Sequence, residues 1–125
     1  MRWSVVLALT AVMTLPVGAR AEPPPHAQAE INYLLGFVRA SGCEFYRNGT
    51  WYDSERAQEH LRYKYEYLSA HDRVATAEEF IEQAATKSSL TGRPYLLRCG
   101  RSKVVTSEEW LRAALARLRS SAADY

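Results

Sequence analysis

A mostly helical α+β domain, about four helices around a short β-hairpin or three-stranded sheet, is the fold class this sequence predicts. Three observations lead to it. Apolar residues recur at three- and four-residue intervals in four separate segments, the signature of amphipathic helices. An Asn-Gly dipeptide stands between β-prone residues, the strongest short-range hairpin signal. Of the 125 residues, 104 remain once an export signal is set aside, the usual size of one domain.

Residues 1–21 read as a cleavable signal peptide. Arg2 supplies the positive start, Val5 to Leu15 carries no charge, and Ala19-Arg20-Ala21 matches a small-x-small cleavage site, so cleavage after Ala21 is expected. The apolar run is short for a bilayer span and is followed by Pro16, so no stable membrane insertion is expected after cleavage. Residues 22–26, with Pro23, Pro24 and Pro25, read as a stiff Pro-rich linker. The globular domain is then expected over 27–119, with 120–125 frayed.

Within that domain, the spacing of Ile31, Leu34, Leu35 and Val38 predicts a helix over 27–40 that Gly42 stops. Cys43 to Tyr46 and Thr50 to Tyr52 form the arms of the hairpin. Asp53 or Ser54 caps a second helix reaching Ala70, with Ala57, Leu61, Tyr65 and Leu68 inward. Thr76 and Glu79 have capping-box spacing ahead of a third helix that buries Phe80, Ile81, Ala84 and Ala85 and ends near Lys87. Thr91-Gly92-Arg93-Pro94 is a turn, and Tyr95 to Cys99 has strand character and lies beside the hairpin. Thr106 and Glu109 repeat the capping signature before Trp110, Leu111, Ala114, Leu115 and Leu118, the last helix.

Loss of the signal leaves 14 basic against 14 acidic residues. That balance argues against a nucleic-acid binder, whose affinity normally depends on a clustered cationic surface, so no nucleic-acid partner is expected. Cys43 and Cys99 are the two cysteines, and in an oxidising compartment an isolated pair in a small domain forms a structural bridge. Redox-active pairs stand closer together in sequence, and two thiols without a neighbouring ligand at metal-site spacing hold no zinc. No haem, phosphate or calcium motif is present either, so no cofactor is expected.

The segments Phe45-Tyr46-Arg47-Asn48-Gly49, Lys64-Tyr65-Glu66-Tyr67-Leu68 and Ser88-Ser89-Leu90-Thr91-Gly92-Arg93-Pro94-Tyr95 resemble a family of small exported proteins of Gram-negative bacteria whose function is unknown. So do Ala77-Glu78-Glu79-Phe80-Ile81 and Trp110-Leu111, and the likeness covers nearly all of the mature chain. The resemblance implies a periplasmic location and one domain. It implies no activity, cofactor or catalytic residue.

The candidate functional surface is the hairpin tip with the helix that follows. Arg47 and Asn48 project from a tight turn, Trp51 and Tyr52 lie just behind them, and His60 and Lys64 are one helical turn apart. Aromatic anchors mixed with hydrogen-bond donors suit contact with an envelope protein or a cell-wall fragment. Against this stands the plainer reading in which the aromatics are core and the polar residues merely solvated. Tyr63 and Tyr67, four apart, offer a further aromatic ridge. A small envelope hydrolase is the alternative, with Ser88 or Ser89 and a histidine as nucleophile and base, although no Gly-x-Ser-x-Gly or Ser-x-x-Lys motif surrounds them. Glu78-Glu79 and Glu108-Glu109 stand in first helical turns, where negative charge complements the helix dipole.

Overall fold

The computed structural model describes residue 2, residues 4–13 and residues 22–123. The proposed cleavage site at Ala21 lies outside the described residues, and residues 4–13 are exposed without helix or strand. The elements that follow are α1 (Pro25–Ala40), β1 (Glu44–Arg47), β2 (Thr50–Tyr52), α2 (Ser54–Ala70), α3 (Ala77–Ala84), β3 (Leu96–Arg98), β4 (Val105–Thr106) and α4 (Ser107–Ala123). This is the mostly helical α+β architecture that the periodicities predict. None of the helices among the described residues is long and apolar enough to cross a membrane.

The helices begin where local chemistry satisfies their first N–H groups. Asp53 accepts from the Arg56 N–H at 2.8 Å, Thr76 from Glu79 at 3.1 Å and Thr106 from Glu109 at 3.2 Å. Glu79 reaches back to the Ala75 N–H at 2.8 Å, just ahead of the cap. The first helix is different. It starts inside the expected linker, with Pro25 in its first turn, where the missing N–H costs nothing and the fixed φ is already helical. The linker of 22–26 is therefore corrected at its end: Pro25 and His26 belong to α1, and Pro23 is buried.

The sheet has four strands in the order β2-β1-β3-β4, all neighbours antiparallel. Asn48 and Gly49 turn the hairpin with φ of 48° and 92°, the pair of positive angles that a two-residue turn of matching twist requires. β3 docks on the other side of β1, with Phe45 opposite Leu97 and Tyr46 opposite Leu96. That pairing sets Cys43 and Cys99 just beyond the Glu44–Arg98 pair, and they are joined in a disulfide. β4 is a strand more than the hairpin or three-stranded sheet predicted, only two residues long and running directly into the cap of α4.

Two further boundaries differ from the periodicity. α3 stops at Ala84 rather than near Lys87, because the Thr86 hydroxyl donates to the Ile81 carbonyl at 2.8 Å and Lys87 bridges to Pro94. α4 continues through Ala123 where fraying from Ser120 is expected, while residues 124 and 125 lie outside the described set. Phe80, Ile31, Leu34, Leu35, Ile81, Leu97 and Leu111 are fully buried and form one core between the helices and the inner face of the sheet.

Candidate functional site

The hairpin tip, the middle of α2 and the loop after α3 meet around one open cleft of about 530 Å3. Arg47 ends β1, one residue before the turn, and reaches toward α2. There His60 and Lys64 stand one turn apart on the same face, as residues separated by four must. Tyr95, just ahead of β3, closes the group from below and is 6 % exposed.

The hydrogen bonds define the proton arrangement. Arg47 Nη1 lies 2.7 Å from His60 Nδ1 and 3.1 Å from Nε2. A guanidinium can only donate, so the ring nitrogen it meets carries a lone pair. With Nδ1, the nearer, as that acceptor, Nε2 bears the hydrogen and donates to the Tyr95 hydroxyl at 3.3 Å; this tautomer is assigned from the contacts. Lys64 Nζ donates to the same phenol oxygen at 3.2 Å and to the Lys87 carbonyl at 3.3 Å. Both lone pairs of Tyr95 are then taken, and its own O–H remains free to donate into the cleft.

The electrostatics follow from burial beside like charge. Desolvation, aided by Arg47 and Lys64, pushes the His60 imidazolium down to about pH 4, so the ring is neutral at neutral pH. Burial, and then the Arg47 charge, lowers the Lys64 pKa, and burial raises that of the Tyr95 phenol. Arg47 is steadied from behind by Tyr52, whose ring centroid is 4.7 Å from the guanidinium carbon. Tyr52 itself faces a narrow slot on the far side, with Phe45 and Leu61 in its walls.

Asn48 ties the hairpin tip to the loop after α3. Its amide N–H donates to Ser88 Oγ at 3.0 Å, and its carbonyl oxygen accepts from the Thr91 hydroxyl at 2.7 Å. Ser88 is almost wholly buried, and its oxygen also accepts from the Leu90 and Thr91 N–H groups at 3.2 and 3.3 Å. The loop is thus a rigid rim. Ser88 and Ser89, the serines of the hydrolytic alternative, line the same cleft as His60, but the Ser88 oxygen is engaged by Asn48 and the loop N–H groups, His60 meets Arg47 and Tyr95, and the His71 ring meets the Tyr67 carbonyl. Among the described residues there is no group of three or more His, Cys, Asp or Glu side chains able to hold a metal ion.

Of the residues expected on the functional surface, Arg47, Asn48, His60 and Lys64 line the cleft and Tyr52 supports Arg47, but Trp51 does not join them. Tyr95, Arg73 and Leu90 were absent from that expectation although they line the same cleft. The Ser-Ser-x-Thr-Gly-x-Pro-Tyr segment carried the signal for the rim and for Tyr95, since it is the most distinctive run of the chain outside the hairpin. Trp51, by contrast, stacks under Arg98 at 3.9 Å and beside Tyr46, away from the cleft.

Residues 25–119 match the family of unknown function DUF5329. The chain is also 38% identical over 93 residues to the uncharacterized protein YfeK of Salmonella typhimurium, covering 73% of this chain and 74% of that one. No solved structure matches it. The matched span begins at the first residue of α1 and runs through most of α4, so all of the frame but the end of α4, and the cleft it carries, falls inside it. This chain is a member of the DUF5329 family, a small Gram-negative family of unknown function.

Proposed function

We propose that this chain is an exported periplasmic binding domain that takes an envelope protein or a cell-wall component at the hairpin and α2 cleft. The observation that carries the reading is the convergence of Arg47, His60, Lys64 and Tyr95 on one open cleft. A rim fixed by Asn48 and Ser88 keeps these donors in place before any ligand arrives, which lowers the ordering cost of binding. Export is supported by the charged start, apolar run and small-x-small site of residues 1–21, and by a disulfide of the kind that oxidising compartments maintain.

The test is recovery of partners from periplasmic extract and co-sedimentation with purified cell-wall sacculi, using the mature chain and an Arg47→Ala/His60→Ala variant. The variant should lose most of the bound material while keeping the circular dichroism of the wild type. Equal recovery of every partner by both proteins removes this surface from consideration. The mass of the mature protein under non-reducing conditions checks the location, with cleavage after Ala21 and loss of two hydrogens as the expected result.

A further inference from the structure

Among the described residues four arginines are in ion pairs, and the other arginines and lysines, those of the cleft included, are not. Arg39, Arg98, Arg112 and Arg119 each meet a carboxylate at ion-pair distance. Arg47, Lys64 and Arg73 all line the cleft, and among the described residues none of them is in an ion pair. No Asp or Glu contributes to the lining of that cleft.

Such an arrangement is unfavourable for the protein alone. Arg47 and Lys64 are both partly buried, no carboxylate in the cleft lining offsets their mutual repulsion, and the pKa of Lys64 is lowered by burial first and by Arg47 second. An anion entering between them would relieve that repulsion and would find the Tyr95 O–H as an additional donor. The cleft wall beyond the cations is of another kind. Tyr63 and Tyr67 are 70 % and 52 % exposed and Leu90 is 93 % exposed, so an apolar surface adjoins the charged floor. A volume near 530 Å3 is within the range of sites that hold small molecules or the end of a chain.

We propose that the ligand presents an oxyanion, a carboxylate or a phosphoryl group, that sits between Arg47 and Lys64, with its adjoining apolar portion against Tyr63, Tyr67 and Leu90. This deepens the binding reading of the cleft and rests on it. The Arg47 guanidinium offers its remaining N–H donors, Lys64 offers a point charge, and neutral His60 holds Arg47 in position by accepting from it. His60 is in this sense a positioning residue.

Phenylacetate, phenyl phosphate and phenylacetamide are the probes, titrated into the oxidised mature protein while amide and side-chain NMR shifts are followed. Either anion should shift the signals of Arg47, Lys64 and Tyr95, and the neutral amide should bind at least tenfold more weakly. The ratio of the two anion affinities identifies the carboxylate or the phosphoryl group as the preferred source. Lys64→Gln should weaken the better anion about tenfold, leave the amide unchanged and melt close to the wild type; Tyr95→Phe should weaken the anion severalfold and melt somewhat lower, because its hydroxyl accepts from His60 and Lys64, with an unchanged circular dichroism spectrum. Equal affinity for acid and amide overturns the proposal, as does saturable anion binding that maps elsewhere, or no perturbation of the cleft at millimolar probe. If both anions bind here but extract and sacculi yield no partner, the oxyanion site stands and the macromolecular reading falls. If partners are captured but neither anion binds, the oxyanion site falls and the macromolecular reading stands.

Discussion

Arg119 and Lys64 are both cations on long helices, yet the fold treats them oppositely. Arg119 on α4 grips Glu30 of α1 with two hydrogen bonds, at 2.9 and 3.0 Å, and also bonds Glu78 of α3, so one side chain ties three helices. Its pKa is raised by those partners, and theirs are lowered by it. Lys64 on α2 has no such partner, and its pKa is lowered by burial and by Arg47. Charge that the fold neutralises contributes to stability. Charge left uncompensated in a cleft weakens the fold slightly and is useful only when something arrives from outside.

The disulfide tests how far the two regions are separable. Cys43 and Cys99, 56 positions apart, close a loop that includes Arg47, Lys64, Ser88 and Tyr95, whereas Glu30 and Arg119 lie outside it. Replacing both cysteines with serine should lower stability by about 4 kcal/mol in the chain-entropy picture, read as the urea midpoint at unchanged slope. Hydrogen exchange should rise first in β1 and β3 and last where α1 meets α4. Uniform loosening of both regions would mean that they form one cooperative unit and that the contrast is only electrostatic.

The clamp itself comes next in size. Arg119→Ala strands the carboxylate of Glu30, which is 6 % exposed, and should cost about 2 kcal/mol, less than a fully buried pair because Arg119 is half in solvent. A Glu30→Met/Arg119→Met chain should recover much of that loss, since no buried charge is then left without its partner and Glu78, which also loses Arg119, is half in solvent. Probe binding at the cleft should be unaffected in both variants. Any weakening there would show that the clamp also positions α2.

The pH dependence separates the regions by window. His60 has a folded pKa near 4 against an ordinary 6.5, so between those values the unfolded chain binds the extra proton and stability falls as the pH falls. Glu30 and Glu78 are held below their ordinary 4.5, so their contribution is intact above 4.5 and is lost only on further acidification. From pH 6.5 to 4.5 the wild type should therefore lose on the order of 1–2 kcal/mol through His60, discounted for its partial exposure. His60→Gln should flatten that window and leave the steeper fall below pH 4.5. A wild-type curve already flat between 6.5 and 4.5 would mean that the ring is well solvated.

The frame around these sites was readable because its signals are local. Asp53, Thr76 and Thr106 each cap a helix three residues ahead, and Asn48-Gly49 specifies its turn within two residues. The surface candidates also came from local spacing, one turn of α2 for His60 and Lys64. What escaped was carried by distant partners. Arg119 and Glu30 are 89 positions apart, Ser88 and Asn48 are 40 apart, and Tyr95 becomes a site residue only because α2 covers its hydroxyl. β4 was missed for another reason. Two residues, Val105 and Thr106, are too few to show alternation, and Thr106 already reads as a cap.

The smallest effect on stability is expected where the effect on binding is largest. Lys64→Gln gives up a hydrogen bond to the Lys87 carbonyl at 3.3 Å and one to the Tyr95 hydroxyl at 3.2 Å, both long and both replaceable by water or by the new amide. It also removes the charge that repels Arg47 and disfavours protonation of His60. These changes oppose one another, so the melting midpoint should stay within about 0.5 kcal/mol of the wild type, with a small gain as the favoured sign. The His60 pKa should rise from its value near 4, because one of the two cations that lower it is gone. Loss of stability as large as that of Arg119→Ala would show that Lys64 is neutralised inside the fold by a contact of comparable weight, and the distinction between the two cations would collapse.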